Sequence, residues 1–177
     1  MFRKTNMYVL TCLIVSVVLA ASRLPATKGQ EKAPSESNAG SGGKSLEGLL
    51  KEAKDAGLDY SRTADGQYRI PVEIGGEASV ITVREHSMGD EKVAYLWCVI
   101  APLPKEFRPS VAMLRRIAEM NSNIIIGNIG MDKQAIYYDS SFWLRTADVQ
   151  LLKNQLQIAH FLRLGLRKEL LPYMQEE

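Results

Sequence analysis

The chain has few of the side chains that build metal sites or nucleophilic centres. It contains two cysteines and two histidines among 177 residues. His86 and His160 have no second histidine, cysteine or acid at the spacing of metal ligands, which argues against a zinc site. Ser140 and Ser141 lack the flanking glycines of a nucleophile elbow, and beside Asp139 they are typical of a turn. The sequence therefore predicts no catalytic residues, no metal and no cofactor, and we do not expect an enzyme.

Two further features could bind an anion but have simpler interpretations. Gly127 and Gly130 lack the lysine and the following helix of a phosphate loop, so they indicate a bulge or close packing. Arg115 and Arg116 lie on the polar side of a helical pattern, which is typical of a solvated helix face. Neither feature predicts a binding site.

The first 29 residues have the layout of a signal peptide. Arg3 and Lys4 precede an uncharged 15-residue stretch from Met7 to Ala21, and small residues follow it. This stretch is shorter than the ~20 apolar residues of a typical membrane span. We therefore expect an exported protein, secreted or periplasmic, with a cut site that the sequence leaves open. The alternative is an uncleaved membrane anchor, because ~17 residues can span a bilayer at the lower limit.

Removal of this segment would leave little positive charge and one cysteine. Residues 1–29 hold four basic and no acidic residues, so the mature chain would have 18 basic against 20 acidic residues, a net charge of −2. A nucleic-acid partner would need a concentrated basic stripe, so none is predicted. Cys98 would be the only mature cysteine, which excludes an internal disulfide. Its apolar neighbours predict a buried thiol.

The rest of the chain divides into a linker and one domain. Residues 30–44 contain no aliphatic or aromatic anchor, which predicts a flexible Gly/Ser/Pro linker. Residues 45–177 show amphipathic helix patterns and alternating strand patterns, which predict a single α+β domain.

Three helical patterns have identifiable ends. The first begins at the N-cap Ser45 and ends at Gly57, and the second ends near Asn121, because asparagine tolerates the left-handed conformation. Thr146 is the predicted cap of the last helix and Pro172 its predicted end.

Five runs of strand character accompany these helices. Gly75 and Gly76 join the first two as a hairpin, and Pro71 places the first at or near a sheet edge. A polar loop over residues 86–92 leads to the third run. The fourth run, Ile124 to Ile129, is short and β-branched and predicts a buried strand. The predicted strands are residues 68–74, 78–85, 93–101, 124–129 and 134–140.

The predicted order is α-β-β-β-α-β-β-α. Short connections make neighbouring strands antiparallel, and the helices should gather on one face of the sheet. The sequence thus predicts an α+β two-layer sandwich with an antiparallel sheet.

Several segments resemble a known bacterial family. The leading helix reads LLKEAKDAGLDY, the hairpin combines DGQYRIPVEI with ASVITVRE, and the middle of the chain reads LRRIAEMNSNIIIGNI, followed by AIYY and a long terminal helix. Together they resemble the YbjN-like domain and, more broadly, the type III secretion chaperones (Tir chaperone-like). The resemblance implies a protein-interaction or chaperone-like domain, often dimeric, without a cofactor.

Aromatic residues give the best indication of a binding surface. The runs 93–101 and 124–129 are apolar on both alternating sides, although the uncovered face of a sheet is normally polar. Large apolar patches mark interaction sites, while the linker, a loop or scattered surface residues would also account for the pattern. Alternation does not decide which member of a neighbouring pair faces outward. The candidate binding residues are Trp97, Tyr137, Tyr138, Phe142 and Trp143.

We therefore expect an exported, non-enzymatic interaction module. Its partner would be another protein or a second copy of itself in a homodimer, bound through the sheet face or the last helix. Membrane association is expected only if the N-terminal segment is uncleaved. The alternative is a carrier of an apolar small molecule or lipid, held between the sheet and the last helix.

Overall fold

A computed structural model describes residues 44–174 of the chain. The predicted signal peptide and residues 30–43 of the predicted linker lie outside these residues. The described part contains three helices, six strands and one 3₁₀ turn. The helices are α1 (Leu46–Asp55), α2 (Val111–Asn121) and α3 (Val149–Met174). The strands are β1 (Ser61–Arg62), β2 (Tyr68–Ile74), β3 (Glu77–Met88), β4 (Glu91–Pro102), β5 (Asn128–Met131) and β6 (Ala135–Trp143), and the 3₁₀ turn is Leu144–Thr146.

The strands form one antiparallel sheet in the order β1-β2-β3-β4-β6-β5. The predicted α+β class with an antiparallel sheet is therefore confirmed. The predicted order had five strands and lacked β1, because a strand of two residues carries no alternation that a sequence pattern could show. Pro71 lies beyond the two β2 residues that β1 covers, so the prediction of an edge position is also correct.

Two glycine turns connect the first long strands. Gly75 and Gly76 both have positive φ angles, of 64° and 79°, and join Ile74 to its partner Glu77 in the predicted hairpin. The predicted loop over residues 86–92 is wrong. Both strands continue to Met88 and Glu91, and the turn needs only Gly89 and Asp90.

The first helix has the ends that its sequence predicts. The Ser45 hydroxyl accepts a hydrogen bond from the Gly48 N–H at 3.1 Å. At the other end Gly57 has a φ of +84°, and its N–H bonds to the Lys54 carbonyl while the Leu58 N–H bonds to that of Ala53. This is a Schellman motif, in which glycine adopts the left-handed conformation at low cost.

The last helix differs from its prediction at both ends. The Asp148 carboxylate, rather than Thr146, accepts a hydrogen bond from the Leu151 N–H at 2.7 Å, while the Thr146 hydroxyl donates to the Trp143 carbonyl. Aspartate at this position also interacts favourably with the positive end of the helix. Pro172 does not end the helix, which continues to Met174.

One set of alternate strand residues forms the main core, and we call this set the covered face. The Ser79 hydroxyl of β3 and the Ser140 hydroxyl of β6 belong to this set and contact His160 and Gln155 of α3, which shows that α3 lies over it. Helix α3 contacts β2, β3, β4, β6 and both other helices. The buried apolar members of the covered face include Ile70, Ile81, Val83, Leu96, Cys98, Ile136, Tyr138 and Phe142.

The isoleucine run after α2 is not a strand. Ile125 is 82% exposed, Ile126 is also exposed, and β5 begins only at Asn128. Gly127 has a φ of +81°, so the backbone turns at this point. The prediction failed because a β-branched run indicates a strand only when neighbouring strands bury it, and of the predicted strand only the residues from Asn128 onwards pair with β6.

Asn121 connects the end of α2 to the edge of the sheet. Its side-chain amide donates to the Ile129 carbonyl at 2.9 Å and accepts from the Ile129 N–H at 2.7 Å. The sequence predicted the helix end correctly but assigned Asn121 a backbone role. The structure gives it a side-chain role instead, because one amide has the donor and the acceptor that a neighbouring strand would offer.

Candidate functional site on the open sheet face

The second set of alternate strand residues points away from the core, and we call it the open face. The β3–β4 pairing places Thr82 opposite Trp97 and Arg84 opposite Tyr95. The β4–β6 pairing continues this face across the sheet, where Asp139 and Tyr137 follow. The central members of the open face are Thr82, Arg84, His86, Tyr95, Trp97, Val99, Tyr137, Asp139 and Trp143.

Aromatic side chains occupy the middle of the open face. The ring centroids of Tyr95 and Trp97 are 5.8 Å apart, and His86 meets Tyr95 edge-on at 5.9 Å. Both distances lie in the range of favourable aromatic pairs. Trp143, at the far end of β6, is 44% exposed. The open face is therefore an aromatic surface, although antiparallel sheets usually present polar residues to water.

The structure separates the five predicted binding residues into two groups. Trp97, Tyr137 and Trp143 belong to the open face. Tyr138 is 0% exposed and Phe142 is 8% exposed, so both lie in the core and not on a binding surface. This correction follows from the period of two along β6, which sends neighbouring side chains to opposite faces.

Arg84 is the open-face residue that the sequence did not single out. Its guanidinium lies 5.1 Å from the ring centroid of Tyr95 and 5.3 Å from that of Trp97. Its Nε atom is buried and has no hydrogen-bond partner. In the sequence Arg84 is one polar residue in an alternating strand, and only the pairing of β3 with β4 shows that it lies against two aromatic rings.

Tyr95 is a neutral phenol under physiological conditions. Burial, and then the negative charge of Asp139, raise the pKa of Tyr95 to about 12. The hydroxyl therefore keeps its proton at neutral pH and can donate a hydrogen bond.

Tyr137 depends on a glycine in the neighbouring strand. Gly130 pairs with Tyr137, and a Cβ atom at Gly130 would collide with the Tyr137 ring. At Gly127 a Cβ would collide with the Asp139 carbonyl and with Tyr138, whose hydroxyl donates to the Ile126 carbonyl at 2.7 Å. The prediction of close packing at both glycines is confirmed.

A buried polar cluster lies on the opposite side of the sheet. The Ser79 hydroxyl is 2.9 Å from Nδ1 of His160 and accepts a hydrogen bond from Arg163 at 3.2 Å. Arg163 also donates to the carbonyls of Ala78 and Val99. Burial, and then the charge of Arg163, lower the pKa of His160. Because His160 is 0% exposed, we interpret the cluster as a bridge from α3 to β3 and β4 rather than a serine–histidine centre.

Cys98 lies on the covered face, as its neighbours predict. It is buried, and burial raises the pKa of its thiol to about 11. The thiolate is the reactive form of cysteine, so this thiol is unreactive at neutral pH.

Known protein families and curated sequences do not assign a function to the chain. No protein-family model matches the chain, and no similar sequence was found among curated proteins. Within residues 44–174, no three His, Cys, Asp or Glu side chains are grouped as metal ligands. In the same range no helix combines the length and the apolarity needed to cross a membrane.

Proposed function

We propose that the chain is an exported, non-enzymatic protein-interaction or chaperone-like module that binds its partner through the open face. The observation that carries this proposal is the row of Tyr95, Trp97 and Tyr137 beside Arg84 on the uncovered side of the sheet. Aromatic residues and arginine are the types most enriched at the energetic centres of protein interfaces.

Preorganisation of these side chains supports the same proposal. Tyr95 and Trp97 contact each other, and both contact Arg84. Ordering a free side chain on binding costs about 0.5–1.5 kcal/mol, and a side chain that is already held in place avoids this cost. The open face therefore presents large contact area at a low entropic cost.

The proposal extends to the architecture and the family. We propose that the three helices form one layer over the covered face, which leaves the open face to a partner as in a two-layer sandwich. The resemblance to YbjN-like and secretion-chaperone domains supports this arrangement. Export depends on residues 1–29, so a chaperone-like role would be exercised outside the cytoplasm.

Photo-crosslinking tests the proposal directly. A photoreactive phenylalanine analogue at Trp143 on the open face is compared with the same analogue at Phe161 of α3, which is exposed to a similar degree. We expect a discrete crosslinked protein from position 143 in cells that express the full chain, and loss of this product in a Trp97→Ala background.

Two outcomes would contradict the proposal. Equal crosslinking from positions 143 and 161 would show that the open face has no special role. Native mass spectrometry of the purified chain would instead support the small-molecule carrier if a lipid copurified and Trp97→Ala left it bound. Sedimentation then distinguishes a second copy from another protein, because a homodimer would dissociate on dilution without any added partner.

A further inference from the structure

Arg84 differs from every other arginine in residues 44–174. Three of these arginines are partly buried, namely Arg84, Arg116 and Arg163. Arg116 pairs with Glu119 and Glu169, and Arg163 donates to two carbonyls and a hydroxyl. Arg84 has no carboxylate within 4.0 Å in the same part of the chain, and its buried Nε atom has no hydrogen-bond partner there.

The buried Nε atom of this guanidinium has lost contact with water without gaining a hydrogen bond from the protein, and this costs free energy. Stacking on Tyr95 and Trp97 compensates in part, since each cation–π contact contributes roughly 0.5–2 kcal/mol. The rings hold the planar group in place but satisfy none of its N–H donors. A guanidinium held in this way is preorganised for a carboxylate, which two parallel N–H groups can bind at once.

We infer that Arg84 binds a side-chain carboxylate of an acidic segment in the partner protein. This inference rests on the proposed function, because it names the chemistry that the open face recognises. Tyr95, Trp97 and Thr82 flank the guanidinium and provide apolar contact beside the ion pair. Arg69, which pairs with Thr82 on the neighbouring strand, is exposed on the same face and adds a second positive charge.

The charges around Arg84 favour a carboxylate over a phosphate. Asp139 lies opposite Trp97 on the same face, and its negative charge already influences Tyr95. Attraction to Arg84 and repulsion by Asp139 both scale with the charge of the ligand, and a single guanidinium neutralises a monoanionic carboxylate but only half of the charge of a phosphate dianion. The acidic segment is therefore of the Asp/Glu type.

Peptide binding to the purified full chain tests the assignment. The probes are a fluorescein-labelled peptide with alternating glutamate and tyrosine, its counterpart with glutamine for each glutamate, and a third with phosphoserine for each glutamate. Fluorescence anisotropy gives the dissociation constants. We expect the glutamate peptide to bind at least about ten times more tightly than the glutamine peptide, with a preference that falls as salt increases.

Four variants separate recognition from contact area. Arg84→Gln should remove the preference for glutamate, and Arg84→Lys should recover only part of it, because lysine lacks the planar fork. Arg115→Gln, at an exposed arginine of α2, should keep the wild-type preference. Trp143→Ala, which removes an exposed open-face ring that is not stacked on Arg84, should weaken the binding of both peptides by the same factor. Urea unfolding of each variant confirms that it folds.

The outcomes distinguish this inference from the proposed function. If Arg84→Gln keeps the wild-type preference, or if the wild type shows none, the carboxylate assignment is overturned, while the crosslinks from position 143 still test the open face alone. Tighter binding of the phosphoserine peptide would replace the carboxylate by a phosphate. A homodimer that Arg84→Gln dissociates would replace the separate partner by a second copy.

Discussion

Along β4, the residues at even and odd positions meet different environments. Leu96 and Cys98 are buried under α3, whereas Trp97 is partly exposed and Val99 is 43% exposed. The covered face is mostly aliphatic, with Tyr138, Phe142 and a few buried polar groups, and the open face is aromatic with one stacked arginine. One strand thus serves two purposes, because its period of two lets each face be selected separately. The covered face stabilises the fold, and the open face is the surface to which we assign recognition.

Truncation of a side chain on the covered face should destabilise the protein more than truncation of a side chain on the open face. Leu96→Ala should reduce the free energy of unfolding by about 2–5 kcal/mol, because it leaves a cavity in a fully buried site. The matched change Val99→Ala on the open face should cost less than about 1 kcal/mol. Urea denaturation measures both. Similar losses for the two variants would show that the two faces do not differ in packing.

Substitutions at two glycines near β5 compare close packing against the backbone with close packing against a ring of the open face. Gly127→Ala places a methyl group against the Asp139 backbone at a φ of +81°, which should cost about 2–5 kcal/mol in strain and overpacking. Gly130→Ala meets only the Tyr137 ring on the open face, so it should cost about 1 kcal/mol.

A double-mutant cycle tests the second value. The cost of Gly130→Ala should disappear in a Tyr137→Ala background, because the ring that it meets is gone. A cost that persists without the ring would place the strain in the backbone of β5 instead.

A pH series tests the buried histidine of the covered face. Burial and Arg163 hold the pKa of His160 below its usual 6.5, so the unfolded chain binds this proton more readily than the folded chain. The contribution of neutral His160 to the free energy of unfolding should be fully present above pH 6.5 and should decrease as the pH drops below it. Urea midpoints between about pH 5 and 7 measure the slope before most carboxylates titrate.

Substitution of His160 assigns this slope. His160→Asn should lower the slope, because no histidine remains in the buried cluster. An unchanged slope in His160→Asn would move its origin to another group.

Substitution of Arg84 should have a small effect on stability. Arg84→Ala removes two ring contacts but also removes a buried Nε atom that has no partner. These effects oppose each other, so we expect a change of no more than about 1 kcal/mol in the free energy of unfolding. Calorimetry and Trp97 fluorescence can follow it. A loss of several kcal/mol would assign Arg84 to the fold rather than to recognition.

Sequence patterns predicted the features that depend on local chemistry. The Ser45 and Gly57 ends of α1 and the Gly75–Gly76 hairpin follow from the preferences of single residues. The class of the fold followed from the order of the patterns. Features that depend on pairing across the sheet were not predictable in this way, which is why Tyr137 and Tyr138 were equivalent candidates until β6 was placed beside β4.

The failures have the same physical origin. The run from Ile124 to Ile126 has strong strand propensity, but no strand of the described residues pairs with it. It therefore does not form a strand. Arg84 appeared as an ordinary polar residue because its two aromatic neighbours are more than ten positions away in sequence. A single sequence contains local preferences, whereas a binding face is made of distant residues that the sheet brings together.

Asn121 also limits how the molecule can assemble. Another chain can extend a β-sheet, because an edge strand exposes backbone N–H and C=O groups that a further strand can pair with. The side-chain amide of Asn121 hydrogen-bonds both backbone groups of Ile129 in the four-residue edge strand. These two groups are therefore not available to a further strand. Pro71 removes an N–H from the stretch of β2 that β1 leaves uncovered. With growth opposed in the plane of the sheet, the partner that we propose would meet the open face rather than an edge.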